Sequence, residues 1–231
     1  MLGDFLYDMP INVMMYGPKG AGKSSLINSF VTCLSLENRP IVARIVAKQS
    51  DHVTNEYEMC PILQFLQGHA TPPSVPFVFW DLWGYSETDF KGISIKHFLK
   101  GMVPDKQQRL NTKGNPIDSA DIDGTAALSR EIMVLVFVLP LSAILDGSVW
   151  SHFRTACSTA IGEKYLPILV VTASDTISNV KQKKEDQDEL LSKCGLDAAN
   201  VYFHTNYTSE RNRDIDKDLS TRRLLTAIFN R

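Results

Sequence analysis

A glycine-rich stretch near the start of the chain has the residue types of a phosphate-binding turn. Residues 17–24, GPKGAGKS, fit the pattern GxxxxGK[ST]. The apolar run at 11–16 predicts a buried strand before the stretch, and apolar residues at helical spacing predict a helix over 24–34 after it. A strand before and a helix after are the context that this pattern requires.

The chemistry of such a turn is the binding of phosphate groups. Glycines let backbone N–H groups curl around an anion, and the start of the helix adds partial positive charge. We expect the Lys23 amine to reach the β- and γ-phosphates of a nucleotide and the Ser24 hydroxyl to ligate Mg²⁺. For Lys19, phosphate contact and simple solvent exposure are equally good expectations. The candidate nucleotide-binding residues of this stretch are Gly17, Lys19, Gly20, Ala21, Gly22, Lys23, Ser24 and Ser25.

A second set of candidates follows the predicted strand at 75–82. Asp81 and Gly84 have the DxxG spacing, and they lie at the carboxyl end of a strand, where ligands bind in open α/β sheets. In guanine-nucleotide proteins such an Asp holds Mg²⁺ through water, and the Gly N–H meets the γ-phosphate. Thr54 is the candidate for a magnesium-sensing threonine, with an ordinary loop threonine as the alternative. The predicted metal site is Ser24, Thr54 and Asp81.

Two later strand ends are candidates for binding the base. Residues 172–175, TASD, occupy the place of an [NT]KxD signature, and the Asp175 carboxylate could accept hydrogen bonds from guanine N1–H and N2–H. Ala173 stands where a base-packing lysine is usual, which weakens the prediction of guanine specificity. Asn206 ends the last predicted strand, where guanine-binding proteins present a residue to the base edge. Gly84, Thr172, Asp175 and Asn206 complete the predicted nucleotide site, and no catalytic residue is assigned.

The elements that must position these residues alternate along the chain. Strands are predicted at 11–16, 40–48, 75–82, 131–140, 167–172 and 200–205, and helices at 24–34, 89–102, 149–162, 181–191 and 216–229. The apolar strand ending at Pro140 is predicted to run into a loop. The alternation predicts an α/β, three-layer P-loop NTPase fold of the Ras-like G domain type. Its sheet should be mostly parallel with one antiparallel edge strand, in a single domain over 1–231 with a polar surface loop insertion at about 103–130.

Composition narrows the function. The net charge is −2 without a basic stripe, which argues against a nucleic-acid partner. The four cysteines lack metal-ligand spacing and predict reduced, mostly buried thiols. The longest apolar run, 132–145, is too short for a membrane span, and the first residues have no signal-peptide pattern. These features predict a cytoplasmic protein.

The chain resembles the interferon-induced protein 44 family of P-loop GTPase-like proteins. The resemblance covers roughly residues 11–231 and rests on GPKGAGKSSLINS, HVTNEY, DLWGY, KGISIKHFLKGMVPD, VVTASD and TNYTS. The block KGISIKHFLKGMVPD is the most specific, because ordinary small GTPases lack it. The resemblance implies GTP binding, a cytoplasmic location and an antiviral, immune or cytoskeletal association. It implies no well-established catalytic role, and the family usually keeps a lysine at the position of Ala173.

Together these features predict a GTP- and GDP-binding protein with Mg²⁺ and slow or partner-dependent hydrolysis. Many small GTPases place a glutamine directly after DxxG, whereas this chain has Tyr85. A homodimer across the nucleotide face, or a protein partner, could supply the missing group. The alternative is a catalytically inactive, nucleotide-gated interaction module. An ATP-using P-loop kinase is a further alternative, but it needs several lid arginines, and the 103–130 segment has only Arg109 and Arg130.

Overall fold

The computed structural model describes nine parts of the chain and the elements within them. They are residues 10–35, 56–62, 77–84, 94–108, 122, 126–146, 150–172, 195–207 and 212–231. The strands are β1 (Ile11–Tyr16), β2 (Glu56–Pro61), β3 (Phe77–Asp81), β4 (Gln107–Gln108), β5 (Val134–Pro140), β6 (Ile168–Thr172) and β7 (Val201–Phe203). The α-helices are α1 (Lys23–Leu34), α2 (Ile95–Leu99), α3 (Leu141–Asp146), α4 (Trp150–Gly162) and α5 (Ile215–Phe229). Short 3₁₀ turns cover Leu128–Arg130 and Ala198–Asn200.

The strands form one sheet in the order β4-β2-β3-β1-β5-β6-β7. β3, β1, β5, β6 and β7 pair in parallel, whereas β2 runs antiparallel to β3 at one side of the sheet and is followed there by the two-residue β4. The predicted α/β class, with a mostly parallel sheet and an antiparallel strand at its edge, is confirmed.

Two buried clusters hold helices on the two faces of the sheet. One cluster joins the sheet to α1 and α5 through residues such as Leu26, Phe30 and Leu224. The other joins it to α2 and α4 through residues such as Phe98 and Phe153. Parallel strands covered on both faces read as continuous apolar runs, which is the pattern of β5 and β6.

The register of the sheet brings its functional strand ends to one edge. Met15 of β1 pairs with Asp81 of β3, and Tyr16 pairs with Phe137 of β5. Pro140, the last residue of β5, pairs with Thr172, the last residue of β6. The carboxyl ends of β1, β3, β5 and β6 therefore lie at the same edge of the sheet.

The structure differs from the sequence predictions at three places. Residues 141–146 form the helix α3, not a loop, because an apolar run without clear periodicity does not reveal where a buried strand ends. Within the described residues, the helix predicted at 89–102 is the five-residue α2. The insertion predicted as a surface loop contains β4 and buries Val103 and Ile122 in the core.

Other sequence predictions lie wholly or partly outside the described residues. The strand at 40–48 and the helix at 181–191 are among them, and the single-domain assignment stays a prediction. Cys33, Cys60 and Cys157 are buried, and none of them forms a disulfide within the described part of the chain. Among the helices that the structure describes, none has the length and apolarity to cross a lipid bilayer.

A buried amide fixes the segment that leads into β5. The Asn12 side chain donates from Nδ2 to the carbonyls of Ser129 (2.9 Å) and Glu131 (3.0 Å). Its Oδ1 accepts a hydrogen bond of 2.9 Å from the Trp80 indole of β3. One side chain in β1 therefore joins the central strands to the 3₁₀ turn Leu128–Arg130.

Candidate nucleotide-binding site

The glycine-rich loop connects β1 to α1 in the geometry that its sequence predicts. Gly20 (φ 76°) and Gly22 (φ 86°) have left-handed backbone conformations, which residues with a side chain rarely adopt. A Cβ on Gly17 would lie 2.0 Å from the Val138 carbonyl oxygen of β5, so only glycine fits against that strand. Gly22 is the N-cap residue of α1, and it has no side chain to cap the first N–H groups of the helix.

The Lys23 side chain folds back across this loop. Its Nζ donates to the carbonyls of Gly17 (3.1 Å) and Pro18 (3.0 Å), and only 6% of the residue is exposed. Burial lowers the pKa of Lys23 to about 8, an effect that the negative charge of Asp81 partly offsets. An ammonium group has three N–H donors, so a bound anion could take the one that these two carbonyls leave.

Ser24 and Asp81 meet directly beside this lysine. The Ser24 hydroxyl donates to Oδ2 of Asp81, whose side chain is almost completely buried. Burial raises the pKa of Asp81, with Lys23 and Ser24 opposing and the neighbouring Glu58 reinforcing the shift. The other carboxylate oxygen, Oδ1, is inaccessible to solvent and has no hydrogen-bond partner among the described residues.

These oxygens suit a hard cation. Mg²⁺ prefers oxygen ligands, and in nucleotide sites it binds one or two protein oxygens together with phosphates and waters. A hydroxyl beside a buried carboxylate with an unpaired oxygen fits that requirement. In the described part of the chain, no group of three or more His, Cys, Asp or Glu residues could hold a metal by itself. Ser24 and Asp81 therefore fit a hard cation only together with further ligands, such as phosphate oxygens and waters.

Gly84 lies against the backbone of the glycine-rich loop. A Cβ on Gly84 would lie 2.1 Å from Cα and 2.2 Å from N of Lys19. Contacts this short exclude any side chain unless the backbone moves. The two predicted phosphate-binding segments, residues 17–24 and the DxxG turn, are thus in van der Waals contact.

Thr172 and Asn206 contact the glycine-rich loop from the other side. The Thr172 hydroxyl donates to the carbonyl of Ala21 (2.7 Å) and more weakly to that of Leu139 (3.4 Å). The Asn206 amide donates from Nδ2 to the carbonyl of Gly22 (3.1 Å). A Cβ on Gly22 would lie 2.7 Å from Asn206 Nδ2 and 3.8 Å from Thr172 Cγ2, so Gly22 lies close to both side chains.

The structure brings most of the predicted site residues together at one edge of the sheet. Ser25 lies in the first turn of α1. Thr54 and Asp175 lie outside the described residues, as do Tyr85 and Ala173. Arg130 precedes β5 at the opposite edge, where its Nε donates to the Gly101 carbonyl (3.2 Å).

Sequence reasoning missed residues that support the site from α5 and α1. Lys217 donates to the Asn206 carbonyl (3.1 Å), and the Tyr207 N–H donates to the Ser29 hydroxyl (2.9 Å). Ser29 is buried in α1, next to the buried Phe30 in the sequence. A polar residue at a buried position of α1 is the only sequence feature that could have indicated these contacts. Lys217 and Asn206 are 11 residues apart, and Tyr207 and Ser29 are 178 apart, so no local pattern connects them.

Three features define a P-loop, GTPase-like fold. They are the mostly parallel sheet, the antiparallel strand β2 beside β3, and the glycine-rich loop between β1 and α1. No protein-family model matches the chain. The chain is 22% identical over 225 residues to human interferon-induced protein 44-like, covering 90% of this chain and 48% of that protein. It is 23% identical over 223 residues to a von Willebrand factor A domain-containing protein of Dictyostelium discoideum, covering 91% of this chain and 28% of that protein.

The chain therefore spans about half or less of the length of these curated relatives. Among solved structures it resembles a probable GTP-binding protein engB, with a TM-score of 0.47 and 14% identity over 95% of this chain and 97% of that one. The fold class stated above rests on the strand order and register of this chain itself.

Proposed function

We propose that this chain is a GTP- and GDP-binding protein that uses Mg²⁺. The observation that carries the proposal is the meeting of Lys23, Ser24 and Asp81 at the carboxyl edge of the sheet, where the glycine-rich loop begins α1. A buried amine, a row of N–H groups and a cation site are the three things that a nucleotide phosphate chain needs.

Each residue has a defined task in this proposal. The Lys23 amine binds the β- and γ-phosphates, and the N–H groups at the start of α1 bind the phosphate oxygens. Ser24 and Asp81, with Thr54 from the segment before β2, hold Mg²⁺, which when bound neutralises charge on those phosphates. The Gly84 N–H meets the γ-phosphate, and Asp175 accepts hydrogen bonds from guanine.

The test is the nucleotide content of the purified protein, followed by affinities for GTP and ATP measured side by side with Mg²⁺. Because Ala173 replaces the base-packing lysine, we expect a micromolar Kd for GTP, about −8 kcal/mol. Lys23→Ala should lose most triphosphate affinity while the circular dichroism spectrum is unchanged. Equal GTP binding by parent and variant would refute the proposal.

Hydrolysis in this proposal is slow or depends on a partner. Tyr85 is a poor group for orienting the attacking water, and no arginine is placed in the glycine-rich loop. Intrinsic turnover should be no faster than about 10⁻⁴ to 10⁻³ s⁻¹. If a second copy of the chain supplies the missing group across the nucleotide face, phosphate release should rise steeply with protein concentration.

A nucleotide-gated interaction module without turnover is the second candidate, and Tyr85 after Gly84 is the observation that favours it. Single-turnover assays with bound GTP separate the two, because the module would release no phosphate at any protein concentration. Release faster than about 10⁻¹ s⁻¹ and independent of concentration would contradict both candidates. The interferon-induced character in the name of the human relative supports an immune or antiviral setting as part of the proposal. The cytoplasmic location expected from the sequence is proposed with it.

A further inference from the structure

Two buried side chains at neighbouring strand ends hold two consecutive carbonyls of the glycine-rich loop. Thr172, the last residue of β6, binds the Ala21 carbonyl, and Asn206, which follows β7, binds the Gly22 carbonyl. Both residues come from the strand ends that the sequence predicts to read the base. In the structure, however, the hydrogen bonds of both side chains go to backbone carbonyls, with the loop as their common target.

The planarity of the peptide group turns these bonds into an orienting device. In a trans peptide, the C=O of one residue and the N–H of the next point in opposite directions. A bond that fixes the Ala21 carbonyl therefore aims the Gly22 N–H away from β6. In the same way, the bond to the Gly22 carbonyl aims the Lys23 N–H away from β7.

The two N–H groups aimed in this way lie at the start of α1, where N–H groups have no partner inside the helix. Gly22 has a left-handed φ of 86°. Because glycine can adopt many other backbone conformations, hydrogen bonds from neighbouring residues are needed to hold this one. The Gly22 carbonyl also accepts from the Leu26 N–H (2.8 Å), so Asn206 reinforces a helical bond. The Thr172 hydroxyl donates a hydrogen bond of 2.7 Å to the Ala21 carbonyl.

The burial of Asn206 supports a role directed at the loop. Only 9% of the residue is exposed, and its Oδ1 has no partner and no access to solvent in the described structure. An amide that leaves one polar atom unpaired costs stability. The hydrogen bond from Asn206 Nδ2 to the Gly22 carbonyl is the interaction that offsets this cost. The Lys217 amine binds the Asn206 carbonyl (3.1 Å) and holds the residue in place.

We infer that Thr172 and Asn206 are positioning residues for phosphate: they act through the glycine-rich loop, aiming the Gly22 and Lys23 N–H groups at the phosphate chain, and do not select the base. This inference rests on the proposed function of the loop. It changes the expected role of Asn206, which the sequence assigns to the base edge. It also implies that any polyphosphate, with or without a base, uses the same two side chains.

The test compares ligands that share phosphates but differ in the base. The probes are GTP, ATP and inorganic tripolyphosphate, each with Mg²⁺, and the variants are Thr172→Val and Asn206→Ala. We expect each variant to weaken all three probes by the same factor, roughly tenfold, because the loss of one orienting hydrogen bond affects only the phosphate half. Thr172→Ser, which keeps the hydroxyl, should restore affinity.

A second readout separates positioning from general stabilisation. In ¹H–¹⁵N spectra of the parent, tripolyphosphate should shift the Gly22 and Lys23 amide signals most strongly. Thr172→Val should reduce the shift at Gly22, and Asn206→Ala the shift at Lys23. If the substitutions only lower stability, the folded molecules of each variant will show the same Gly22 and Lys23 amide shifts as the parent. That result would overturn the inference.

Other outcomes also decide the matter. A variant that weakens GTP but leaves tripolyphosphate unchanged would make its residue a base reader and overturn the inference. A parent that binds ATP as tightly as GTP would contradict guanine binding in the proposed function, while the equal losses across probes would still support the inference. A parent that binds none of the three probes would overturn both.

Discussion

Gly84 of the DxxG turn lies against the backbone of Lys19 in the glycine-rich loop, so closely that a Cβ would sit 2.1 Å from Lys19 Cα. The contact makes the two segments that we propose to bind phosphate sterically dependent on each other. The DxxG turn cannot accept a side chain at position 84 without displacing the glycine-rich loop.

Gly84→Ala should therefore weaken both nucleotide binding and folding. We expect the Kd for GTP to rise at least about tenfold and the free energy of unfolding to fall by about 1–3 kcal/mol, because the added methyl forces a backbone shift. Calorimetric titration and urea unfolding measure the two effects. The matched control is Gly162→Ala at the end of α4, where a Cβ meets nothing within 4 Å and both values should stay near the parent's. Parental GTP affinity in Gly84→Ala would show that the contact is not needed for binding.

The pH dependence of triphosphate binding should follow Lys23. Its pKa is lowered to about 8 in the free protein, so the amine is charged below that pH and becomes neutral above it. Bound phosphates favour the charged form, so affinity should be constant below pH 8 and should fall by up to about tenfold per pH unit above it. Lys23→Arg stays charged, and its titration series with the same ligand gives the control profile. Parallel profiles for parent and variant up to pH 9 would show that deprotonation of Lys23 does not control binding in this range.

Base preference should depend on Asp175. Asp175→Asn turns a double acceptor into a mixed donor and acceptor, and xanthine carries a carbonyl where guanine has its amino group. We expect GTP affinity to fall by about ten- to a hundredfold and the preference to move toward xanthosine triphosphate. Competition binding with both nucleotides measures the change, with the exposed Asp216→Asn of α5 as a charge-matched control. An unchanged preference for GTP would exclude Asp175 from the base site.

Acid stability should reflect His204. The residue is almost completely buried, its Nδ1 lies 3.1 Å from the Ser220 hydroxyl, and burial together with Lys217 lowers its pKa to about 4. Between about pH 6.5 and pH 4 the unfolded chain binds this proton and the folded chain does not. The free energy of unfolding should therefore fall as the pH falls through that range, by up to about 3 kcal/mol from this group.

Urea unfolding at pH 7, 5.5 and 4.5 gives the measurement, and His204→Gln gives the comparison. Other titrating groups, including Asp81 with its raised pKa, contribute to both proteins and cancel in the difference. The variant should lose less stability than the parent across this range. An equal loss in both proteins would show that His204 is not the group responsible.

The sequence predicted those parts of the fold and site that depend on local pattern. β1, the glycine-rich loop and α1 are contiguous, so glycine spacing and helical periodicity were enough to identify them. β5 and β6 were evident because strands buried on both faces are apolar throughout. The helix α3 was missed because it continues the apolar run of β5 directly after Pro140 and has only six residues.

The contacts that join the site across the sheet could not be predicted. Thr172 and Ala21 are 151 residues apart, and Asn206 and Gly22 are 184 apart. No spacing rule identifies such pairs, because they depend on strand order and register. Position at a strand end placed Asn206 at the correct edge of the sheet, but it could not reveal that the amide contacts a loop carbonyl.

The Asn12 amide has a consequence for how the chain folds. Its two carbonyl partners, at Ser129 and Glu131, come 117 and 119 residues later, with β3 and α2 between them. Contacts of such long sequence separation require a large loop to close before they contribute, and they slow folding. The segment before β5 and the Trp80 indole of β3 therefore both depend on the same amide in β1. The buried amide thus couples three segments that are far apart in the sequence through one side chain in the first strand.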